Sequence, residues 1–206
     1  MSQDKDQHHI RRVLTAWFED KESGRMDLPQ SRRWFNGGKA FDTQLAESFG
    51  QVLEDANGGK LDHWQESANG ALALVIVLDQ FNRNIYRKTA KAFAHDPLAL
   101  KVSEHALQKG FDQQIPTVQR IFLYLPFEHC ESRAAQERSV ALFSALFEQA
   151  NEPQAEFTQR ALDSAIEHQQ IIERFGRYPY RNAVLGRTST VDEMQWLAEQ
   201  QSRFGQ

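Results

Sequence analysis

The sequence predicts an all-α protein built from antiparallel helix pairs, and three observations support this fold class. Apolar residues recur at the i, i+3, i+4, i+7, i+8 spacing of a helix face, as in Ile10, Val13, Leu14, Trp17 and Phe18. Helix start and stop residues frame these periodic segments. No period-2 alternation of useful length indicates a strand. The 206 residues, 40% of them hydrophobic, are enough for one compact core, so we predict one domain over 1–206 with residues 1–6 disordered.

The first three helices follow from these signals in chain order. The first contains residues 10–18. The second contains Leu45 to Ala56 and ends at the adjacent Asn57-Gly58-Gly59, because glycine adopts the positive φ that stops a helix. The third is a long buried helix from Ala68 to Tyr86, in which the apolar run Ala71 to Leu78 continues at helical spacing through a polar stretch.

The second half of the chain predicts further helices. Asp96 is predicted as the N-cap of a helix that Gly110 closes. Shorter signals predict helices over 117–124, 131–150 and 153–175, the last with Gly176 as its stop. Thr190 and the glutamate three residues later have capping-box spacing, which predicts a final helix. Pro126 and the tract from Gly176 to Pro179 are predicted to break the chain inside otherwise helical regions.

Composition and charge exclude several functional classes. The 24 basic and 28 acidic residues are well mixed and give a formal charge of −4, which argues against broad binding to nucleic acid or to an anionic membrane. Cys130 is the only cysteine, so the chain forms no intramolecular disulfide and no thiolate metal site. The stretch Met1 to His9 lacks the apolar centre of a signal peptide. We therefore predict a cytoplasmic protein without a membrane partner.

The first polar motif is LDQFNRNIYR at 78–87. Asp79, Arg83 and Arg87 are four residues apart, and Gln80 and Asn84 form a parallel row on the same helix. One interpretation is a solvent-exposed helix face with i,i+4 ion pairs. The other is a polar stripe that belongs to a binding site.

The second motif places Glu128, His129, Cys130 and Glu131 directly after an apolar stretch. Such a cluster is suited to metal binding or acid–base chemistry. It lacks the HExxH spacing that places ligands one turn apart, so no metal is predicted. The alternative is a purely structural role, in which His129 is a hydrogen-bonded residue at a helix end and Cys130 is a plain buried thiol.

The third motif runs from His168 to Arg187 and contains four arginines interleaved with aromatic residues around Gly176: Arg174, Arg177, Arg181 and Arg187. A guanidinium group donates two parallel hydrogen bonds to phosphate or carboxylate, and arginine with aromatics also stacks on single-stranded RNA. Alternatively, these arginines cap helices and form structural ion pairs with acidic groups of the other two motifs.

The sequence resembles a mainly bacterial family known as domain of unknown function 924, most specifically in the stretches LDQFNRNIYR, AFAHDPLAL, FLYLPFEHCES and RFGRYPYRNAVLGR. The resemblance implies a right-handed superhelix of helix pairs, similar to tetratricopeptide-repeat proteins. This sequence differs from the usual family pattern at Asn82, Cys130 and Tyr180. The family pattern implies ligand-binding residues in all three motifs: Asp79, Gln80, Arg83, Asn84, Glu128, His129, Glu131, His168, Arg174, Arg177, Arg181 and Asn182.

We expect the three motifs to meet in space, because polar groups that interrupt apolar helices are costly to bury alone. Two functions follow from such a cluster. One is binding of a small anionic molecule or an acidic peptide. The other is hydrolysis of a phosphorylated or carboxylated metabolite, with His129 or His168 as general base and Asp79 or Glu128 orienting it. Association with RNA is disfavoured by the acidic balance, and no cofactor is predicted.

Overall fold

The computed structural model describes residues 2–18, 34 and 38–199, and within these ranges the protein is helical without any strand, which confirms the all-α prediction. The α-helices are α1 Ser2–Phe18, α2 Gly38–Asn57, α3 Ala68–Val75, α4 Asn82–Ile85, α5 Asp96–Gln108, α6 Thr117–His129, α7 Arg133–Glu148, α8 Glu152–Phe175 and α9 Val191–Glu199. Short 3-10 turns lie at Asp62–Glu66, Ala90–Phe93, Asp112–Gln114 and Pro179–Arg181. The superhelical arrangement and the single-domain division stay predictions.

The long central helix is the core of the fold. A π-helical segment, Ile76–Phe81, joins α3 to α4 without a break, so the predicted helix over 68–86 is confirmed to within one residue. All residues from Ala71 to Leu78 are buried in the main apolar cluster, because this helix is apolar on every side. The π-turn itself is not predicted by the sequence. Asn82 stabilises it by donating from Nδ2 to the Leu78 carbonyl at 2.9 Å.

Most polar residues of this helix are buried, so the interpretation of the motif as a solvent-exposed helix face is wrong, although its i,i+4 ion pair between Asp79 and Arg83 does form. Asp79 is 0% exposed, and Gln80, Asn82 and Asn84 are also buried. Helices α2, α5 and α6 all pack on the π-segment and exclude water from it. These side chains therefore need partners inside the protein.

Two helix starts differ from expectation. Residues 1–6 are predicted to be disordered, whereas α1 begins at Ser2, and Asp6 in its second turn accepts a hydrogen bond from Trp64 Nε1 at 3.4 Å. Asp96 is not the N-cap of α5, because His95 occupies that position. The Asp96 carboxylate instead pairs with Arg83, at 2.7 Å from Nη1.

Pro126 does not break the chain, contrary to prediction, and α6 continues through it to His129. Proline cannot donate to the Phe122 carbonyl, but the surrounding residues of α6 are buried on all sides and packing holds the helix together. This continuation carries Glu128 and His129 into the interior.

The predicted stop and start around the C-terminal region are confirmed. Gly176 ends α8 with φ of 70°. Thr190 and Glu193 form a reciprocal capping box at the start of α9, with Glu193 N to Thr190 Oγ1 at 3.2 Å and Thr190 N to Glu193 Oε2 at 2.7 Å. Between them, the turn Pro179–Arg181 is buried at its first and last residues. Across the described part of the chain, no helix has both the length and the apolar character to cross a membrane.

Candidate functional site

The three predicted polar motifs meet in space. Asp79 comes from the π-segment, His129 from the last residue of α6, and Arg181 from the turn after α8. His129 Nδ1 lies 2.7 Å from Asp79 Oδ1, and Arg181 Nη1 donates to the His129 carbonyl at 3.0 Å. The prediction that Asp79, His129 and Arg181 converge is therefore confirmed.

Asp79 and His129 form a buried carboxylate–imidazole pair with a defined proton arrangement. Burial alone would raise the pKa of Asp79, but Arg83 and His129 outweigh it and hold this pKa below its usual range. A carboxylate only accepts, so His129 Nδ1 carries the proton of their hydrogen bond. Burial and the Arg83 guanidinium lower the pKa of His129, so the ring is neutral at pH 7 and Nε2 has a free lone pair.

Arg83 connects the Asp79–His129 pair to Asp96. Its Nη2 lies 3.3 Å from Asp79 Oδ1, and it forms a bidentate pair with Asp96 at 2.7 and 3.0 Å. It also donates to the Ala92 carbonyl at 3.1 Å. Most of the donors of Arg83 are therefore used inside the protein, and its role is to fix the Asp79 carboxylate.

Arg181 is held differently, because much of its guanidinium contacts aromatic rings. The group lies 4.6 Å from the Phe93 ring centre and 4.5 Å from that of Tyr178. Nη1 donates to the His129 carbonyl, whereas Nη2 donates to none of the described residues and Nε is buried without a partner. Arg181 is rigid yet keeps unused donors beside His129.

A second cluster, formed by Glu128, Ser164 and His168, lies next to the first. Ser164 Oγ donates to Glu128 Oε1 at 3.0 Å, and Glu128 Oε2 is buried without a partner. His168 Nδ1 lies 2.8 Å from the Ser164 carbonyl, which only accepts, so Nδ1 is protonated. His168 therefore cannot take a proton from Ser164 through Nδ1, and Ser164 is not an activated nucleophile.

Tyr178 and Gln136 fix the C-terminal end of α6. The Tyr178 hydroxyl donates to the Glu128 carbonyl, and Gln136 Nε2 donates to the Glu128 and Cys130 carbonyls, each at 2.8 Å. These bonds satisfy carbonyls that a helix end leaves without a partner. Gln136 is not among the residues predicted for the site. A glutamine at one of the periodic positions of α7 was a usable signal.

Several residues predicted for the site have structural roles elsewhere. Arg174 pairs with Asp192 at 2.7 Å, and both side chains are more than half exposed. Arg177 forms a bidentate pair with Glu193 at 2.7 and 2.8 Å. Asn182 Nδ2 donates to the same Glu193 at 3.2 Å. Arg174, Arg177 and Asn182 therefore make their contacts at the start of α9 rather than around His129, and the acidic partners of the two arginines are not those of the other two motifs that the structural interpretation named.

Two further predicted residues are displaced from the centre. Glu131 accepts from the Tyr178 backbone N–H at 2.9 Å and from Arg187 Nη2 at 2.9 Å, so it orders the turn that carries Arg181. Asn84 lines a separate groove against α2. Gln80 remains at the site, because its Nε2 donates to Asp79 Oδ2 at 2.6 Å.

The second motif provides neither an activated thiol nor a grouped set of metal ligands among the described residues. The Cys130 side chain is half-buried, and burial raises the pKa of its thiol, as expected of a plain thiol rather than a nucleophile. Among the described residues, no three His, Cys, Asp or Glu side chains are grouped as a metal ion would require.

Asp96, Phe93 and Ser164 contact the site but were not predicted as part of it. Asp96 and Phe93 belong to the stretch AFAHDPLAL, where Asp96 was interpreted as a helix cap. Ser164 lies four residues before His168 on α8, and this spacing was an available signal.

Comparison with known proteins gives two matches. A family model described as "Bacterial protein of unknown function (DUF924)" matches residues 13–201. A solved structure of a protein of unknown function from Agrobacterium tumefaciens is 36% identical, covers 92% of this chain and 97% of that chain, and has a TM-score of 0.78. No curated protein matches the sequence. The likeness extends over nearly the whole fold.

Proposed function

This chain belongs to the DUF924 family of bacterial proteins, and we propose that it binds a small molecule with one carboxylate or phosphate group beside His129 and Arg181. The observation that supports this most directly is the unused Nη2 of Arg181, which aromatic contacts and the His129 carbonyl hold in one orientation. A guanidinium fixed in advance binds an anionic oxygen with little loss of conformational freedom. Tyr180 stacks on Tyr178 next to it, and burial raises the pKa of Tyr180 to about 12, so its hydroxyl stays a donor.

The charges around the site limit how many negative charges the ligand can carry. Arg83 pairs with Asp79 and Asp96, Arg181 pairs with Asp96, and the Glu128 carboxylate lies in the adjacent cluster, so the site has no excess of positive charge. A ligand with a single anionic group can use the free Arg181 donors. A polyanion such as RNA, or a peptide with several acidic residues, would meet repulsion. The geometry therefore supports a small ligand over the larger partners.

The test is thermal-shift screening against monocarboxylates, phosphate monoesters and acidic peptides, because a ligand of the folded state raises Tm. We expect one class of small anion to raise Tm, and Arg181→Lys to abolish this shift because lysine lacks the second donor of the fork. Arg174→Lys is the matched control, since Arg174 pairs only at the surface. An equal shift in both variants, or a shift only with acidic peptides, would contradict the proposal.

The Asp79–His129 pair favours a second function, hydrolysis with His129 as general base. Asp79 fixes the tautomer that leaves Nε2 free to accept a proton from water. The water oxygen would attack the carbonyl or phosphoryl centre of the ligand while Arg181 stabilises the negative charge that develops there. The bond from this centre to the leaving oxygen would then break, and the proton on His129 Nε2 would pass to the leaving group. His129 is the better base of the two histidines, because its Nδ1 lies 2.7 Å from the Asp79 carboxylate, whereas His168 Nδ1 lies 2.8 Å from the Ser164 carbonyl and 3.4 Å from Glu128 Oε1.

Turnover of p-nitrophenyl acetate and p-nitrophenyl phosphate tests this second function. We expect His129→Gln to lower the rate by roughly 10²–10⁴-fold, the usual contribution of a general base. His168→Gln is the control and should retain most of the rate. If the two variants hydrolyse either substrate equally fast, His129 is not the base.

A further inference from the structure

A second groove lies between the N-terminal half of α2 and the end of α4. It has a volume of about 730 Å³, and its lining includes Lys39, Asp42, Glu47, Asn84 and Lys88. The described residues along its walls do not include His129, Arg83 or Arg181. It is therefore distinct from the site proposed above.

Asn84 has no hydrogen-bond partner in this groove. The residue is 4% exposed, its Nδ2 is buried and unbonded, and its side-chain amide makes no hydrogen bond to any other described residue. Asn82 on the same helix provides the contrast, because it exchanges amide hydrogen bonds with Asn57 at 3.0 and 3.1 Å. The nitrogen of an asparagine amide donates two hydrogen bonds, and a buried N–H group without a partner destabilises the fold unless a ligand or water satisfies it.

The charges of the groove favour an anion. Arg87 and Asp42 neutralise each other in a bidentate pair at 3.0 and 3.1 Å. Neither Lys39 nor Lys88 forms an ion pair within the described chain, and Glu47 is the one remaining acidic residue of the lining. Lys88 also has a φ of 63°, the left-handed conformation that is unfavourable for a lysine. The lining of the groove thus contains two lysines without an ion pair among the described residues and an amide nitrogen without a hydrogen-bond partner.

We propose that this groove binds a small ligand through a carboxylate or phosphate group, with Lys39 and Lys88 contacting the anion and the Asn84 amide hydrogen-bonding to it. Anionic oxygen is the ligand chemistry that satisfies both the lysines and an amide N–H. The hydrogen-bond partner of an asparagine amide decides which way its oxygen and nitrogen point. A half-turn of the Asn84 amide exchanges these two atoms.

The stability of Asn84→Leu separates a ligand residue from a structural one. Leucine has a similar shape and removes the unbonded amide, so we expect Tm to stay equal or rise by a few degrees. If the amide had a structural role instead, Asn84→Leu would lower Tm. A fall in Tm of several degrees would overturn the proposal.

Binding is measured by titrating orthophosphate and succinate into the ¹⁵N-labelled protein and following the Asn84 side-chain NH₂ signals, which are identified by their loss in Asn84→Leu. We expect saturable shifts with one of the two probes, which tells a phosphate ligand from a carboxylate ligand. Lys88→Gly suits the positive φ and removes one charge, so it should keep its stability and bind at least tenfold more weakly. Arg181→Lys should bind as the wild type does. Absence of a shift with both probes, or unchanged affinity in Lys88→Gly, would refute the proposed groove site.

Discussion

Replacing Asp79 with asparagine removes one charge from the interior and leaves the shape of the side chain unchanged. Three donors converge on this carboxylate: His129 Nδ1 at 2.7 Å, Gln80 Nε2 at 2.6 Å and Arg83 Nη2 at 3.3 Å. The asparagine side chain keeps one acceptor oxygen, and an NH₂ group, which is a donor, replaces the other. Breaking a buried ion pair costs roughly 3–5 kcal/mol, and Arg83 keeps Asp96 as a partner, so we expect about 3 kcal/mol. For a chain of this length that corresponds to a fall in Tm of about 6–12 °C.

Urea unfolding followed by circular dichroism measures this free energy. Asp192→Asn is the control, because Asp192 and its partner Arg174 are 59% and 51% exposed and such pairs contribute at most about 1 kcal/mol. If the two variants lose the same stability, the Asp79 carboxylate is not held in a buried network. A loss confined to Asp79→Asn supports the arrangement described above.

Further predictions concern the supports of the site. Tyr178→Phe leaves the Glu128 carbonyl without its hydroxyl donor, so we expect a loss of about 1–3 kcal/mol in urea unfolding, and no loss would show that the buried hydroxyl is not bonded there. The hydrogen bond from Arg177 lowers the pKa of Glu193 to about 2, so its contribution to stability is complete above its usual pKa of 4.5 and is lost as pH falls toward 2. The free energy of unfolding of Glu193→Gln should therefore depend less on pH across this range than that of the wild type, and identical slopes would contradict this assignment.

The sequence predicted the helices because apolar periodicity and terminal signals are local. Gly176 and the Thr190–Glu193 box both act within one helical turn, and both were interpreted correctly. Pro126 was misinterpreted because the packing that carries α6 through a proline comes from residues distant in the chain.

The site was predicted in part for the same reason. The convergence of Asp79, His129 and Arg181 follows from the cost of burying lone polar groups, which favours arrangements that pair them. Which arginine pairs with which acid depends on the tertiary fold, so Arg177 and Asp96 could not be assigned from spacing alone. The π-segment, which precedes Asn82 and contains Asp79, does not follow from the apolar periodicity, which continues at α-helical spacing through it.

The tautomer and pKa of His129 test the described arrangement of the site most directly, since they follow from the buried Asp79–His129 pair, and the proposed hydrolysis depends on a neutral ring with a free Nε2. Long-range ¹H–¹⁵N spectra of the imidazoles report both, and the His129 signals are identified by their absence in His129→Gln. We predict a neutral ring at pH 7 that is protonated at Nδ1, with a pKa below the usual 6.5, because burial and Arg83 disfavour the charged form. A ring protonated at Nε2, or one that is charged at pH 7, would contradict this account.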